Sequence, residues 1–162
     1  MHRLFDSLFV LLPEACLRHY GDRLVAVAVF GSVGRGTPRQ DSDVDLLIVA
    51  DGLPDGRVAR VEEFRAVEQI LAPWIQEAKR AGLSAWLSPV FKTRTELDHG
   101  SLLLLDLIDD ARLLFDREAV VRQRLDRLRA RLDVLGARRI WKGNAWYWDL
   151  KPDYVPGDVI EL

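Results

Sequence analysis

The chain reads as a single α/β (α+β) domain, a small mixed sheet flanked by helices, and three observations carry that reading. Residues 24–30, LVAVAVF, and 44–49, VDLLIV, are short apolar runs rich in β-branched side chains, the pattern of strands buried on both faces. Val121, Leu125, Leu128, Leu132 and Leu135 lie four, three, four and three apart, which lays one apolar stripe along a helix spanning Arg117 to Leu135. Strand-like and helix-like stretches are interleaved along the chain, as a layered α/β architecture requires. A length of 162 residues suffices for one domain with a real core.

Taken in order, the N-terminal stretch MHRLFDSLFVLLPEACLRHYG places Leu4, Leu8, Leu11 and Leu12 at helical spacing, so an amphipathic helix is expected, kinked or restarted at Pro13. Its apolar run from Leu8 to Leu12 is too short to span a bilayer and lacks a small-residue cleavage site, so neither a membrane anchor nor a targeting segment is expected. The strand Leu24–Phe30 follows, then turn chemistry from Gly31 to Asp43 with room for one helical turn, then the strand Val44–Val49. Arg57 to Ala81 is a long helix interrupted near Pro73, and Gly82 to Phe91 a third strand. TRTELDHGSLLLLDLIDDA supplies one or two helices, and RLLFD a short edge strand. After the helix of the apolar stripe, the aromatic-rich residues 138–162 read as a hairpin and tail, with turns at 142–144 and 156–158.

Bulk properties exclude several classes of function. A net charge of −2 and a pI near 5.9 argue against broad, charge-driven nucleic-acid binding. The arginines of the striped helix (Arg122, Arg124, Arg127, Arg129, Arg131) could contact a partner or RNA, but they interleave with Glu118, Asp126 and Asp133, which favours a solvated face. Cys16 is the only cysteine, which rules out an internal disulfide and a thiolate zinc site and fits the cytoplasm. His2, His19 and His99 are scattered, with no partner at metal-ligand spacing. Trp141, Trp146, Tyr147 and Trp148 suit either base stacking or the plugging of a small core or an oligomer contact, and the plug is the simpler assignment.

The chemistry concentrates in VFGSVGRGTPRQDSDVDLLIV, residues 29–49. Two phosphate motifs fail here. Thr37 stands after Gly36 where a P-loop needs lysine, and Arg39 stands where a dinucleotide fingerprint needs its third glycine. The acids are sharper evidence. On an extended chain Asp43 and Asp45 project to one face. Taken alone they also suit Asx-turn or capping chemistry at the start of a strand. Two carboxylates side by side repel each other unless they share a proton or a cation, and a pair of hard oxygen ligands suits Mg²⁺ completed by substrate phosphates. The glycines of the preceding turn let backbone N–H groups approach phosphate closely, Ser32 adds a hydroxyl, and Arg35 can add charge-assisted hydrogen bonds, though it suits an ion pair to a nearby acid about equally well.

At these residues the chain resembles the DNA polymerase beta-like nucleotidyltransferase superfamily, whose signature is Gly-Ser, ten intervening residues, then Asp-x-Asp: here Gly31 and Ser32, then Val33 to Ser42, then Asp43 and Asp45. GSVGRG and SDVDLLIV are also similar to the small prokaryotic members known as minimal nucleotidyltransferases. The resemblance implies a single nucleotidyltransferase domain over 1–162, ending in the 138–162 hairpin and tail. It implies an enzyme that binds ATP or another NTP with Mg²⁺, transfers the nucleoside monophosphate to a hydroxyl and releases pyrophosphate. Carried onto this chain, Gly31 and Ser32 hold the triphosphate, Asp43 and Asp45 hold metal, and Arg35 supports them. The acceptor implied is a partner toxin protein or a small molecule such as an aminoglycoside, and the short chain favours the protein.

The superfamily pattern also implies a third carboxylate on a neighbouring strand. The expected strand Gly82–Phe91 offers none: Ser84, Trp86 and Ser88 lie on one side, Ala85, Leu87 and Pro89 on the other. Glu96, Asp98 and Asp106 follow, and nothing in their spacing brings them to the pair. That gap sustains two rival expectations: a catalytically weak module that binds nucleotide or a partner, and a structural interaction protein that binds no nucleotide.

Overall fold

A computed structural model of the chain describes residues 2–143 and 145–160; Asn144 of the expected 142–144 turn and the side chain of His2 lie outside the described residues. Four strands form one mixed sheet: β1 (Leu24–Phe30), β2 (Val44–Ala50), β3 (Leu87–Lys92) and β4 (Arg112–Asp116), in the order β3-β2-β1-β4. β1 runs antiparallel to both β2 and β4, while β2 and β3 are parallel. The two central strands are the apolar runs of the sequence. Every residue of β1 is buried, and in β2 only Asp45 is not.

The register fixes which side chains face which layer. A bulge between Leu24 and Ala26 shifts the alternation of β1. Leu24, Val27 and Val29 of β1, with Val44, Leu46 and Ile48 of β2, then face one side. There they meet α1 (His2–Tyr20), α2 (Arg57–Ile70) and α3 (Ala72–Arg80), through Leu8, Leu12, Phe64 and Trp74. Ala26, Ala28 and Phe30, with Leu47 and Val49, face the other side, where they pack against α4 (Arg94–Asp98), α5 (Leu103–Asp110) and α6 (Val120–Leu135). The mixed sheet flanked by helices is the expected architecture.

Several local expectations are corrected. α1 does not restart at Pro13 but continues through it as one helix, because Leu8, Leu12, Ala15 and Cys16 are buried on both sides of the proline and their packing outweighs its lost hydrogen bond. The third strand begins at Leu87 rather than Gly82. Ala85 has a left-handed backbone (φ 51°), which breaks the pleat, and the Ser84 N–H donates to the Gln40 carbonyl at 2.8 Å. α6 starts at Val120, after a 3-10 turn at Arg117–Ala119, because Glu118 and Ala119 take left-handed φ. Its arginine face is only partly solvated: Arg124 is buried, and Arg129 donates to the Ile108 carbonyl at 2.6 Å. RLLFD is the edge strand β4, and the aromatic segment forms an antiparallel hairpin of β5 (Arg138–Lys142) and β6 (Ala145–Asp149). Among the described residues no helix is long and apolar enough to cross a membrane.

Candidate active site

The site lies where β1 ends and β2 begins. Because these strands are antiparallel, with Phe30 paired to Asp45, the chain leaving Phe30 must turn at once over the start of β2. It does so in a single helical turn, Gly31–Gly34, closed by hydrogen bonds from the Arg35 N–H to the Gly31 carbonyl (3.0 Å) and from the Thr37 N–H to the Ser32 carbonyl (2.9 Å).

Two glycines make this turn possible. Gly31 has φ 64°, and a Cβ there would sit 2.2 Å from Asp45 Oδ2, so the Asp45 carboxyl rests directly against the Gly31 backbone. A Cβ at Gly34 would lie 2.3 Å from the Asp110 carbonyl and 2.8 Å from that of Val29, so this glycine lets the end of α5 close on the turn. The Gly-Ser and Asp-x-Asp parts of the motif, ten residues apart in sequence, are therefore in contact.

Asp45 is half-buried and Asp43 exposed, at the mouth of the sheet. Ser84 Oγ donates to Asp43 Oδ1 at 3.1 Å, which ties the first acid to the segment before β3. The Asp45 carboxyl is pushed above the ordinary aspartate value, chiefly by burial, then by the negative charges of Asp43 and, more weakly, Asp106; Arg35 acts in the opposite direction. An excess of negative charge at hard oxygen donors, resting against a backbone bend, fits a divalent cation. Among the described residues no three acidic, histidine or cysteine side chains lie close enough together to hold a metal by themselves, so the fit is that of a two-carboxylate ligand whose other donors come from phosphate and water.

The expected third strand carries Ser88 where a third acid would stand, paired with Asp45 in parallel register and so directed to the same face. Of the three later acids, two are engaged elsewhere. Glu96 closes the capping box of α4 and pairs with Arg60 at 2.8 Å, and Asp98 pairs with Arg127 at 3.5 Å. Asp106 is the one whose charge is felt at Asp45. Its own carboxyl is raised by burial and by Asp110, one helical turn further along α5.

Asp110 was not anticipated, and it organises this side of the site. Its side chain is 3% exposed and accepts from two arginines: Arg35 Nη1 on Oδ2, and Arg139 through Nη1 on Oδ1 (3.1 Å) and Nη2 on Oδ2 (3.2 Å). Arg35, for which a phosphate contact and an ion pair to a nearby acid were both expected, is held by Asp110. Asp106 and Asp110, two of the three acids in the run LLLLDLIDD, were the available signal, since their spacing of four puts them on one face of a helix. Next to the turn opens a cleft of about 770 Å³, lined by Ser32, Arg35, Thr37, Arg39, Asp41 and Ser42 of the turn segment and by Trp141 and Gly143 of the hairpin.

A sequence model of the nucleotidyltransferase domain matches residues 11–98, more than half of the chain and the whole glycine turn and acid pair. A Methanocaldococcus jannaschii protein with the provisional name protein adenylyltransferase is 29% identical over 129 residues, covering 78% of this chain and 82% of its own length. A crystal structure of a toxin–antitoxin with AMP-PNP has 17% identity and a TM-score of 0.48, over 79% of this chain and 92% of that one. A second, of a tri-AMPylated Shewanella oneidensis HEPN toxin in complex with an MNT antitoxin, has 14% identity and a TM-score of 0.42, over 83% and 92%. The chain belongs to the nucleotidyltransferase domain family, enzymes that use nucleoside triphosphates, as the resemblance carried by Gly31, Ser32, Asp43 and Asp45 implied.

Proposed function

We propose that this protein transfers the nucleoside monophosphate of an NTP, with ATP the donor, to a hydroxyl on a partner protein. The observation that carries the reading is the seating of the Asp45 carboxyl against Gly31, which puts the acid pair and the glycine turn in one place. In that reading Ser32 and the backbone N–H groups after Gly31 orient the triphosphate. Asp43 and Asp45 hold Mg²⁺, which when bound neutralises charge on the transferring phosphate and the departing pyrophosphate. Arg35, fixed by Asp110, adds positive charge beside them. β3 carries Ser88 in the place of the strand carboxylate, and Asp106 acts at Asp45 only as a nearby negative charge.

The relative's provisional name supports a protein acceptor. Within that class the acceptor proposed is a partner toxin, the implication of the likeness to the minimal nucleotidyltransferases. The test is incubation with α-phosphate-labelled ATP, Mg²⁺ and the product of a neighbouring small toxin gene. Label is expected on the toxin and is expected to vanish with Asp45→Asn. A toxin that stays unlabelled while the protein binds ATP tightly supports the second reading, a module that binds nucleotide without turnover. Ser88 in the place of the third acid is the observation that favours that alternative.

A further inference from the structure

The cleft beside the glycine turn has two unlike walls. One is polar, with Ser32 and Thr37 and with Arg35 and Arg39 outnumbering the single acid Asp41; the other carries Trp141. A nucleoside triphosphate has the same two halves, a polyanion and a flat aromatic base. We infer that the C-terminal hairpin is part of the donor site and that Trp141 is the platform on which the nucleobase stacks, an inference that rests on the donor-site reading given above.

Pairing within the hairpin places Arg139, Trp141, Trp146 and Trp148 on one face, since Arg139 opposes Trp148 and Trp141 opposes Trp146. That face is turned toward the domain, because Trp148 packs against the second core and Arg139 reaches Asp110. Trp141 shares this face yet remains 56% exposed, so burial does not account for it. It lines the cleft instead.

The indole is also held in position relative to the phosphate-binding turn. The Arg139 guanidinium lies 5.0 Å from the Trp141 ring centre and 4.0 Å from that of Trp146. The same guanidinium chelates Asp110, whose other arginine is Arg35, at the end of the turn. A continuous chain, Arg35–Asp110–Arg139–Trp141, thus runs from the triphosphate side of the cleft to its aromatic wall. Arg139 covers one side of the ring, and the side chain is still 56% exposed, so ring surface remains for a base; stacking of that kind tolerates any base because every base has a π-face.

The test is calorimetric titration of the intact protein with two ligands, ATP and inorganic tripolyphosphate, each with Mg²⁺. Trp141→Ala is expected to weaken ATP about 5- to 100-fold, the range of one lost base–aromatic stack, and to leave tripolyphosphate unchanged. Trp141→Phe, which keeps a π-face, is expected to restore most of the ATP affinity. An unchanged ATP affinity in Trp141→Ala overturns the inference. So does an equal loss for both ligands, which assigns the tryptophan a structural role only. If the unaltered protein binds neither ligand, the donor-site reading itself fails and takes this inference with it.

Discussion

The two faces of the sheet differ in what they are made of. On one, α1, α2 and α3 cover β1 and β2 with a continuous apolar layer, Leu8, Leu12, Phe64 and Leu71 among it, and the ion pairs of these helices, such as Arg23 with Glu63, lie at its rim. On the other, the shorter helices α4 and α5, joined by α6, leave Asp106, Asp110 and Arg124 within the layer, and the hairpin adds Arg139. Asp45 points to this second face, as the alternation with Leu47 and Val49 requires. The first face supplies stability that the second draws on, and charge that would be intolerable in the first is paired or left for a ligand in the second.

Substitutions on the two faces are therefore expected to separate. The largest effect belongs to Asp45→Asn, which is expected to slow nucleotidyl transfer on the order of 1,000-fold, the loss of several kcal/mol of charge stabilisation. Because the ionised Asp45 is desolvated and crowded by Asp43 and Asp106, the same variant is expected to melt slightly higher than the unaltered protein when no metal is present. Transfer kinetics and a thermal melt in chelator check both halves.

Phe64→Ala, on the apolar face, is expected to do the reverse. It should cost about 3–5 kcal/mol in denaturant titration while leaving the transfer rate per folded molecule unaltered. Asp110→Asn falls between the two faces in character. Removing its charge leaves Arg35 and Arg139 without their buried partner, so a loss of roughly 3 kcal/mol is expected by denaturant titration, together with weaker ATP binding.

The smallest effect is a pH dependence of opposite sign in two places. Glu96 is held down at about 2 by the Arg60 guanidinium and the Thr93 N–H. A carboxyl that is more acidic folded than unfolded stabilises the fold when ionised. That contribution is complete above about pH 4.5 and disappears as pH falls through about 2. Asp45 is raised, so its ionisation opposes folding and its protonation relieves that cost as pH falls. Melting curves from neutral pH downward should show the gap between the unaltered protein and Glu96→Gln closing as the pH approaches 2, with the curve for Asp45→Asn lacking the relief seen in the parent.

How much of this was legible depended on how local the cause was. β1 and β2 were visible because burial on both faces makes the runs almost wholly apolar, with Asp45 the single polar interruption. Gly31, Ser32, Asp43 and Asp45 were visible as a spaced motif, and the structure adds that Gly31 and Asp45 are in contact. α1 through Pro13 was not visible, since the packing that overrides the proline comes from other elements. The true start of β3 was hidden for the same reason: the left-handed Ala85 and the hydrogen bond from Ser84 to Gln40 depend on a distant turn. Asp106, Asp110 and Arg139 reach the site only through the placement of α5 and the hairpin, and no spacing along the chain encodes that.

The central claim is that the acid pair and the glycine bend together hold a nucleotide-bound divalent cation. Paramagnetic Mn²⁺ added with ATP to isotope-labelled protein tests this most directly, by line broadening of backbone amide resonances. Broadening centred on Gly31, Ser32, Asp43 and Asp45, dependent on ATP and lost in Asp45→Asn, is the predicted result. Broadening centred on another acidic cluster such as Glu96 and Asp98, or none near Asp45, would contradict it.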